Sequence, residues 1–223
     1  MDKILSYCPI CGFEGVFDSY GKSKRENARC PSCTSLERNR GLYLYLKNSF
    51  TVSDKGKQKV LHVSPEKSLV NFFRKNNDID YYPVDINPNH PDIRHVVDVT
   101  RMQYPLEFFD YVVCYEVLEE VRYDTDALLE FRRVLKEDGR LFINTPTGRN
   151  TTVEFEIDPK EKNVYHIPGK KYRIYGQDFI DRLSRIGFSS ECVKFSSLTS
   201  DEDKVRYRLL DEDSILMCTK NIP

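Results

Sequence analysis

Residues 59–87 read KVLHVSPEKSLVNFFRKNNDIDYYPVDIN. Lys59 to Ser64 is a short apolar run, a helical pattern begins near Pro65, and IDYYPVDIN returns to a strand within one helix length. Two strands joined by a crossover helix lie parallel in one sheet. The alternation continues downstream. IRHVVDVT (93–100), FFDYVVCYEV (108–117) and GRLFINTP (139–146) read as the third, fourth and fifth strands. DALLEFRRVLKEDG (126–139) reads as a helix with Leu128, Leu129, Val134 and Leu135 inward and Gly139 as its C-terminal stop. FSSECVKFSS (188–197) and SILMCTK (214–220) predict a closing antiparallel pair joined by a charged loop, with Cys192 and Cys218, like Cys114, as small apolar strand residues. The expected fold is α/β, a doubly wound, mostly parallel seven-stranded sheet covered on both faces.

Ligands on such sheets bind outside the carboxyl ends of the strands, near the switch in strand order. The first predicted strand ends at Ser64-Pro65-Glu66, the second at Asp85, the third at Asp98 and the fourth at Cys114-Tyr115-Glu116, so acidic side chains converge on one edge. A carboxylate ending the second strand can accept from both hydroxyls of a ribose, and one ending the third can reach the exocyclic amine of adenine. Each aspartate alone equally fits a turn former. The loop after the first strand lacks the glycines that let a backbone approach a cofactor, and the chain contains no G-x-G-x-x-G. That argues against a dinucleotide dehydrogenase, which Asp85 alone would otherwise suit. Pro65 can fix the turn, and the amides opening the next helix can receive a carboxylate. Glu66 either positions a cofactor or complements the positive end of that helix.

Upstream, CPICG places Cys8 and Cys11 two residues apart, and CPSC repeats the spacing with Cys30 and Cys33. Two such pairs complete a closed four-thiolate site of the structural zinc type, leaving no open position for catalysis. The remaining three of the seven cysteines lie in apolar runs, which suits metal binding better than a disulfide framework. SLERNRGLYLYLKNSF (35–50) reads as a helix capped by Ser35, with Leu36, Leu42 and Leu46 at helical spacing. Residues 1–50 thus form a zinc ribbon and linking helix, TVSDKGKQ is a linker, and 58–223 is the larger domain. Lys22, Lys24, Arg25 and Arg29 lie between the knuckles. They fit a ribbon that reads nucleic acid or protein, and equally a solvated loop on a metal-stapled cap.

Across 223 residues the formal net charge is −1 with 31% charged residues, which excludes bulk electrostatic capture of nucleic acid. No apolar run reaches the roughly 18–20 residues of a membrane span, and the N-terminus lacks the core of a signal peptide. The expectation is a cytoplasmic protein with no membrane partner.

Residues 59–146 resemble the core of a class I S-adenosylmethionine-dependent methyltransferase. VLHVSPEKSL stands at its first motif, PVDIN at the second, VVDVT at the third, FDYVVCYEVLEEV at the fourth, and LLEFRRVLKEDGRLFINTP along the next helix and strand. Glu120 stands where that family usually has His, and KEDG replaces its commoner KPGG. The opening HVSPEKSL resembles a subgroup with LHxAPE, which often carries C-x-x-C pairs upstream, as in CPSCTSLERNR here. That subgroup also tends to carry a downstream pattern similar to RIYGQDFIDRLSRIGF (173–188).

The resemblance implies S-adenosylmethionine as cofactor and a structural zinc ion on Cys8, Cys11, Cys30 and Cys33. It implies a cofactor site of Ser64, Pro65 and Glu66, of Asp85 with Ile86, of Asp98 with Val99, and of Cys114 with Tyr115. A base is needed only if the acceptor is protonated at neutral pH. Glu116 and Glu119 at the fourth strand's end are candidates, as is His166 in the polar insertion at about 147–176, a stretch long enough for a lid or substrate element. Asn144, Thr145 and Pro146 can line the acceptor site. Arg173, Tyr175 and Gly176 either close over the site or form a turn entering a helix over 177–186. The function expected is methyl transfer to a small-molecule or sugar-containing acceptor. The alternatives are an RNA methyltransferase that reads its substrate through the ribbon, and a non-catalytic binding module with a degenerate cofactor loop.

Overall fold

The structure, a computed structural model, describes residues 5–50, 56–144, 149–156 and 170–221. They form two compact units, neither contiguous in sequence. One is Met1–Lys57, Pro65–Ile79 and Cys192–Ile215, and the other Gln58–Ser64, Asp80–Glu191 and Leu216–Pro223.

The first unit opens with two antiparallel hairpins, β1 (Ser6–Tyr7) with β2 (Glu14–Gly15) and β3 (Asp18–Tyr20) with β4 (Arg25–Arg29). Helix α1 (Glu37–Leu46) follows and buries Leu42, Leu44 and Leu46. Its start is closed by Asn39, whose side chain accepts from the Leu36 N–H at 2.9 Å. Ser35, expected as the cap, turns its hydroxyl to the cysteine cluster instead, 3.3 Å from the Cys8 sulfur. Helix α2 (Lys67–Lys75) sets Phe72 edge-on to Tyr43 of α1 at 5.2 Å. The loop between residues 197 and 214, expected only as charged, contains a short helix, Asp201–Tyr207, capped by the Ser200 hydroxyl.

Arg40 is the largest fully buried side chain of this unit. Its guanidinium donates to the carbonyls of Ser35 (2.8 Å), Ala28 (3.1 Å) and Tyr207 (2.6 Å) and lies over the Phe17 ring. Burial pushes its pKa down, and the neighbouring Cys8 and Glu37 oppose that. Beside it, α1 meets the turn Phe195–Leu198 so closely that a Cβ on Gly41 would lie 2.2 Å from the Phe195 ring. Gly41→Ala is therefore expected to lower the thermal midpoint by several degrees. The gain in helix propensity, about 1 kcal/mol, is outweighed by about 1–3 kcal/mol of overpacking. An unchanged or raised midpoint would mean that Phe195 yields freely.

The central sheet comprises β5 (Gln58–Val63), β6 (Ile79–Asp85), β7 (His95–Val96), β8 (Phe109–Tyr115), β9 (Leu135–Asn144), β12 (Phe188–Lys194) and β13 (Ser214–Lys220). Between β9 and β12 the chain forms a small antiparallel pair, β10 (Val153–Glu154) with β11 (Arg173–Ile174). The sheet order is β12-β13-β9-β8-β5-β6-β7, as a seven-stranded, mostly parallel sheet predicts. β5, β8 and β9 are parallel, as are β6 and β7, and β13 runs antiparallel to β9. β5 and β8 are buried nearly throughout, which is why each reads as an unbroken apolar run. Successive strands step from β5 to β7 on one side, and β8 then returns to the other side of β5. The switch point lies between β5 and β8.

Several expectations change. The third strand is only the two residues of β7, at the sheet edge. Helix α3 (Asp124–Val134) buries Ala127, Leu128, Phe131 and Val134 at helical spacing, and leaves Leu129, on its other face, 50% exposed. It ends at Val134, and Leu135 already belongs to β9, so Gly139 is not its stop. Gly139 lies in the bulge opposite Phe109–Tyr111, where a Cβ would stand 3.1 Å from the Asp110 carbonyl oxygen. Helix α4 (Phe179–Ile186) starts two residues later than expected and ends on Gly187 at φ 95°. Cys192 is exposed on the edge strand β12, whereas Cys114 and Cys218 are buried. Among the described residues no helix is long and apolar enough to cross a membrane.

Candidate functional site

A cavity of about 250 Å³ opens at the carboxyl ends of the parallel strands. Val63 and Ser64 reach it from β5, and Asp85, Ile86, Asn87 and His90 from the end of β6. Val97 to Thr100 follow β7, and Glu116, Val117, Glu120 and Val121 follow β8. Ser64 and Glu116 flank the switch point and both adopt left-handed backbone, φ 49° and 57°. The glycine-free loop thus makes the same kind of sharp turn a glycine would, with the Ser64 N–H anchored on the Val84 carbonyl at 2.8 Å. A left-handed non-glycine residue costs on the order of 1–3 kcal/mol, and two of them sit on one cavity wall.

The strand-end aspartates are each oriented by their own turn. Asp85 Oδ1 accepts the Asn87 N–H at 2.7 Å. Asp98 Oδ1 accepts the Thr100 N–H and hydroxyl at 3.0 and 2.7 Å, while its Oδ2 lies 3.3 Å from Arg101 Nε. The D-x-N and D-x-T spacings of DIN (85–87) and DVT (98–100) are the sequence signal for both turns, and they bring Asn87 and Thr100 into the site, where strand-end reasoning alone misses them. His90, also missed, accepts the Asp92 N–H on Nδ1 at 3.3 Å.

Of the residues expected to hold a cofactor, Ser64, Asp85, Ile86, Asp98 and Val99 line this cavity. Pro65 and Glu66 belong to the first unit, and Cys114 and Tyr115 are buried in β8 without lining it. Of the three catalytic candidates, Glu116 lines the cavity. Glu119 does not: it is 1% exposed, with Oε1 3.1 Å from Lys171 Nζ. His166, Thr145 and Pro146 lie outside the described residues. Glu120, next in sequence to Glu119, faces the cavity in its place.

The segment around β11 holds the loop that carries Glu120. Arg173 donates to the carbonyls of Leu118 (3.1 Å), Val121 and Arg122 (2.8 Å), and the Tyr172 N–H donates to the Glu119 carbonyl at 2.7 Å. Buried Asp124 accepts from the Tyr175 hydroxyl and from Arg182 and lies 3.5 Å from Arg173. Burial and the Asp124 charge push the Tyr175 pKa far up, so the phenol keeps its proton and donates. Arg173 and Tyr175 therefore brace the loop after β8 and do not line the cavity.

In the first unit the sulfurs of Cys8, Cys11, Cys30 and Cys33 all lie within 4.8 Å of one another. Zinc–sulfur bonds of about 2.3 Å put tetrahedral sulfurs about 3.8 Å apart. The Cys8–Cys33 and Cys11–Cys30 separations of 3.5 and 3.7 Å fit that shell. Each knuckle closes on its own backbone, with Gly12 N–H to the Cys8 carbonyl and Thr34 N–H to that of Cys30. Both turn residues are left-handed. The Cys33 thiol bonds to Cys8 and, with Ser35, pushes the Cys8 pKa down against burial. Two of the four cations between the knuckles are bound internally, Arg25 to Glu37 at 3.1 Å and Arg29 to Asp18 at 3.2 Å.

Comparison with known proteins agrees with this geometry. No curated protein matches the sequence. A solved S-adenosylmethionine-dependent methyltransferase from Archaeoglobus fulgidus is 12% identical, with 85% of this chain and 96% of that one covered at a TM-score of 0.55. The cyclase SpnF is 17% identical, covering 94% and 88% at 0.54. The 1,6-didemethyltoxoflavin-N1-methyltransferase of Burkholderia thailandensis, solved with 1,6-didemethyltoxoflavin and S-adenosylhomocysteine, is 13% identical, covering 82% and 76% at 0.52. At such identities the likeness is one of fold, which by itself hosts more than one reaction. Residues 47–143 also match the family described as a methyltransferase domain, and the second unit carries the Rossmann-like sheet of S-adenosylmethionine-dependent methyltransferases.

Proposed function

We propose that the chain is an S-adenosylmethionine-dependent methyltransferase acting on a small-molecule or sugar-containing acceptor. The observation that carries this reading is the cavity at the switch point with Asp85 and Asp98 on successive strand ends. Asp85, with one oxygen on the Asn87 amide, serves the ribose hydroxyls, and Asp98 serves the adenine amine, with Ile86 and Val99 as apolar walls. The cofactor, when bound, supplies an already activated methyl group. The protein therefore has mainly to orient the acceptor and exclude water. The four cysteines hold a structural zinc ion in the first unit. Pairing of Arg25 and Arg29 with acidic partners weighs against RNA as the acceptor.

Calorimetric titration of the zinc-loaded protein with S-adenosylmethionine and S-adenosylhomocysteine tests the assignment. Micromolar binding is expected, weakened about 100-fold or more in Asp85→Ala, because two hydrogen bonds to a charged group contribute roughly 1.5–3 kcal/mol each. Failure of both ligands to bind a folded protein would favour a non-catalytic binding module.

A further inference from the structure

Taking the cavity as a methyltransferase site, we propose that Glu120 is its acceptor-side carboxylate and that the acceptor presents a protonatable nitrogen to the transferring methyl group. The sheet order β8-β5-β6-β7 puts Asp85 and Asp98 on one side of β5 and Glu116 and Glu120 on the other. At about 4.8 Å between strands, the ends of β6 and β8 are about 10 Å apart, roughly the length of a nucleoside. Asp85 and Asp98 suit the adenosine end. The glutamates lie beyond it, on the side left for the acceptor. Among the described residues no lysine or arginine lines the cavity. A phosphate or carboxylate beside the reacting atom would be repelled by the Glu120 charge, whereas an ammonium would be attracted.

Adjacent glutamates have divided roles here. Successive residues of the 3-10 turn Leu118–Glu120 point about 120° apart. Glu119 is buried against Lys171, while Glu120 turns into the cavity and makes no hydrogen bond or ion pair among the described residues. The backbone beneath it is held by Arg173 on three carbonyls and by the Tyr172 amide on a fourth. The bracing fixes the backbone from which the Glu120 carboxylate reaches the cavity, one requirement of a preorganised site. In the step it serves, the bound ammonium first gives a proton to the Glu120 carboxylate. The lone pair so freed on nitrogen forms the N–CH3 bond as the S–CH3 bond breaks with its electron pair left on sulfur, and the positive charge of the sulfonium passes to the methylated nitrogen.

The test requires no knowledge of the acceptor. Sinefungin carries an amine near the position of the transferable methyl, so it and S-adenosylhomocysteine are titrated into full-length wild type, Glu120→Gln, Glu120→Asp and Glu119→Gln, with thermal midpoints read alongside. Wild type is expected to favour sinefungin about tenfold. Glu120→Gln should lose that preference with S-adenosylhomocysteine affinity unchanged within about twofold, Glu120→Asp should retain part of it, and Glu119→Gln all of it. A preference that survives in Glu120→Gln, or is missing from wild type while S-adenosylhomocysteine still binds, would overturn this assignment alone. Absence of binding by either ligand would overturn the methyltransferase reading with it.

Discussion

Cys30→Ser is expected to unfold the knuckle hairpins and, if the four thiolates hold zinc as proposed, to release that ion. The apolar cluster at the knuckles is small: Cys8, Phe17 and Cys30 are buried, and Ile10, Phe13 and Cys33 pack partly against them. A core of that size cannot offset the conformational entropy of about 1–2 kcal/mol per ordered residue. Structural zinc in small cysteine sites contributes an apparent 10–16 kcal/mol, about 10 at the low end, which is larger than the margin of most domains. Metal analysis should find one equivalent of zinc in wild type. Limited proteolysis should begin cutting within residues 5–50 when a strong chelator is added or Cys30 is replaced. A metal-free wild type with the same protease resistance would show that the thiols do not hold an ion.

Arg173→Met should have the next largest effect, a loss on the order of 3–5 kcal/mol in urea unfolding. The carbonyls of Leu118, Val121 and Arg122 would lose donors, and the buried Asp124 would keep only Tyr175 and Arg182. Methionine fills most of the volume but supplies neither charge nor donors, so the cost is mainly that of groups left short of partners. Arg173→Lys should fall between, since an ammonium cannot span three carbonyls in one plane. The same variants should weaken binding of S-adenosylhomocysteine, because the braced loop forms one wall of the cavity. A loss below about 0.5 kcal/mol would mean that water replaces the guanidinium without penalty.

The parallel strands could be located from sequence because burial on both faces writes them as apolar runs, and β5 and β8 begin and end within two residues of the reading. The edge defeated the same rule: IRHVVDVT has the right composition, but only His95 and Val96 pair with β6. KEDG looked like a helix stop because glycine often ends helices, yet Gly139 is needed for the close approach of the Asp110 carbonyl in the neighbouring strand, a contact no local pattern carries. In the site, the acids at strand ends were readable from topology. Glu119 and Glu120 were not separable, since what distinguishes them is a 3-10 turn and a lysine 52 residues away. The left-handed turns at Ser64 and Glu116 were equally hidden, because neither residue type announces a positive φ.

The Arg40 guanidinium has consequences for the order in which this protein is made. Two of its acceptors, Ala28 and Ser35, are its near neighbours in the chain, but Tyr207 stands 167 residues downstream. At about 5–20 residues per second, roughly 10–30 s of translation separate the donor from that acceptor. When that interval opens Cys8, Cys11, Cys30 and Cys33 have been synthesised, while the Phe195 ring that covers Gly41 and the carbonyl that completes the Arg40 clamp have not. The segment around Arg40 is made well before Tyr207 and completes its packing only after it.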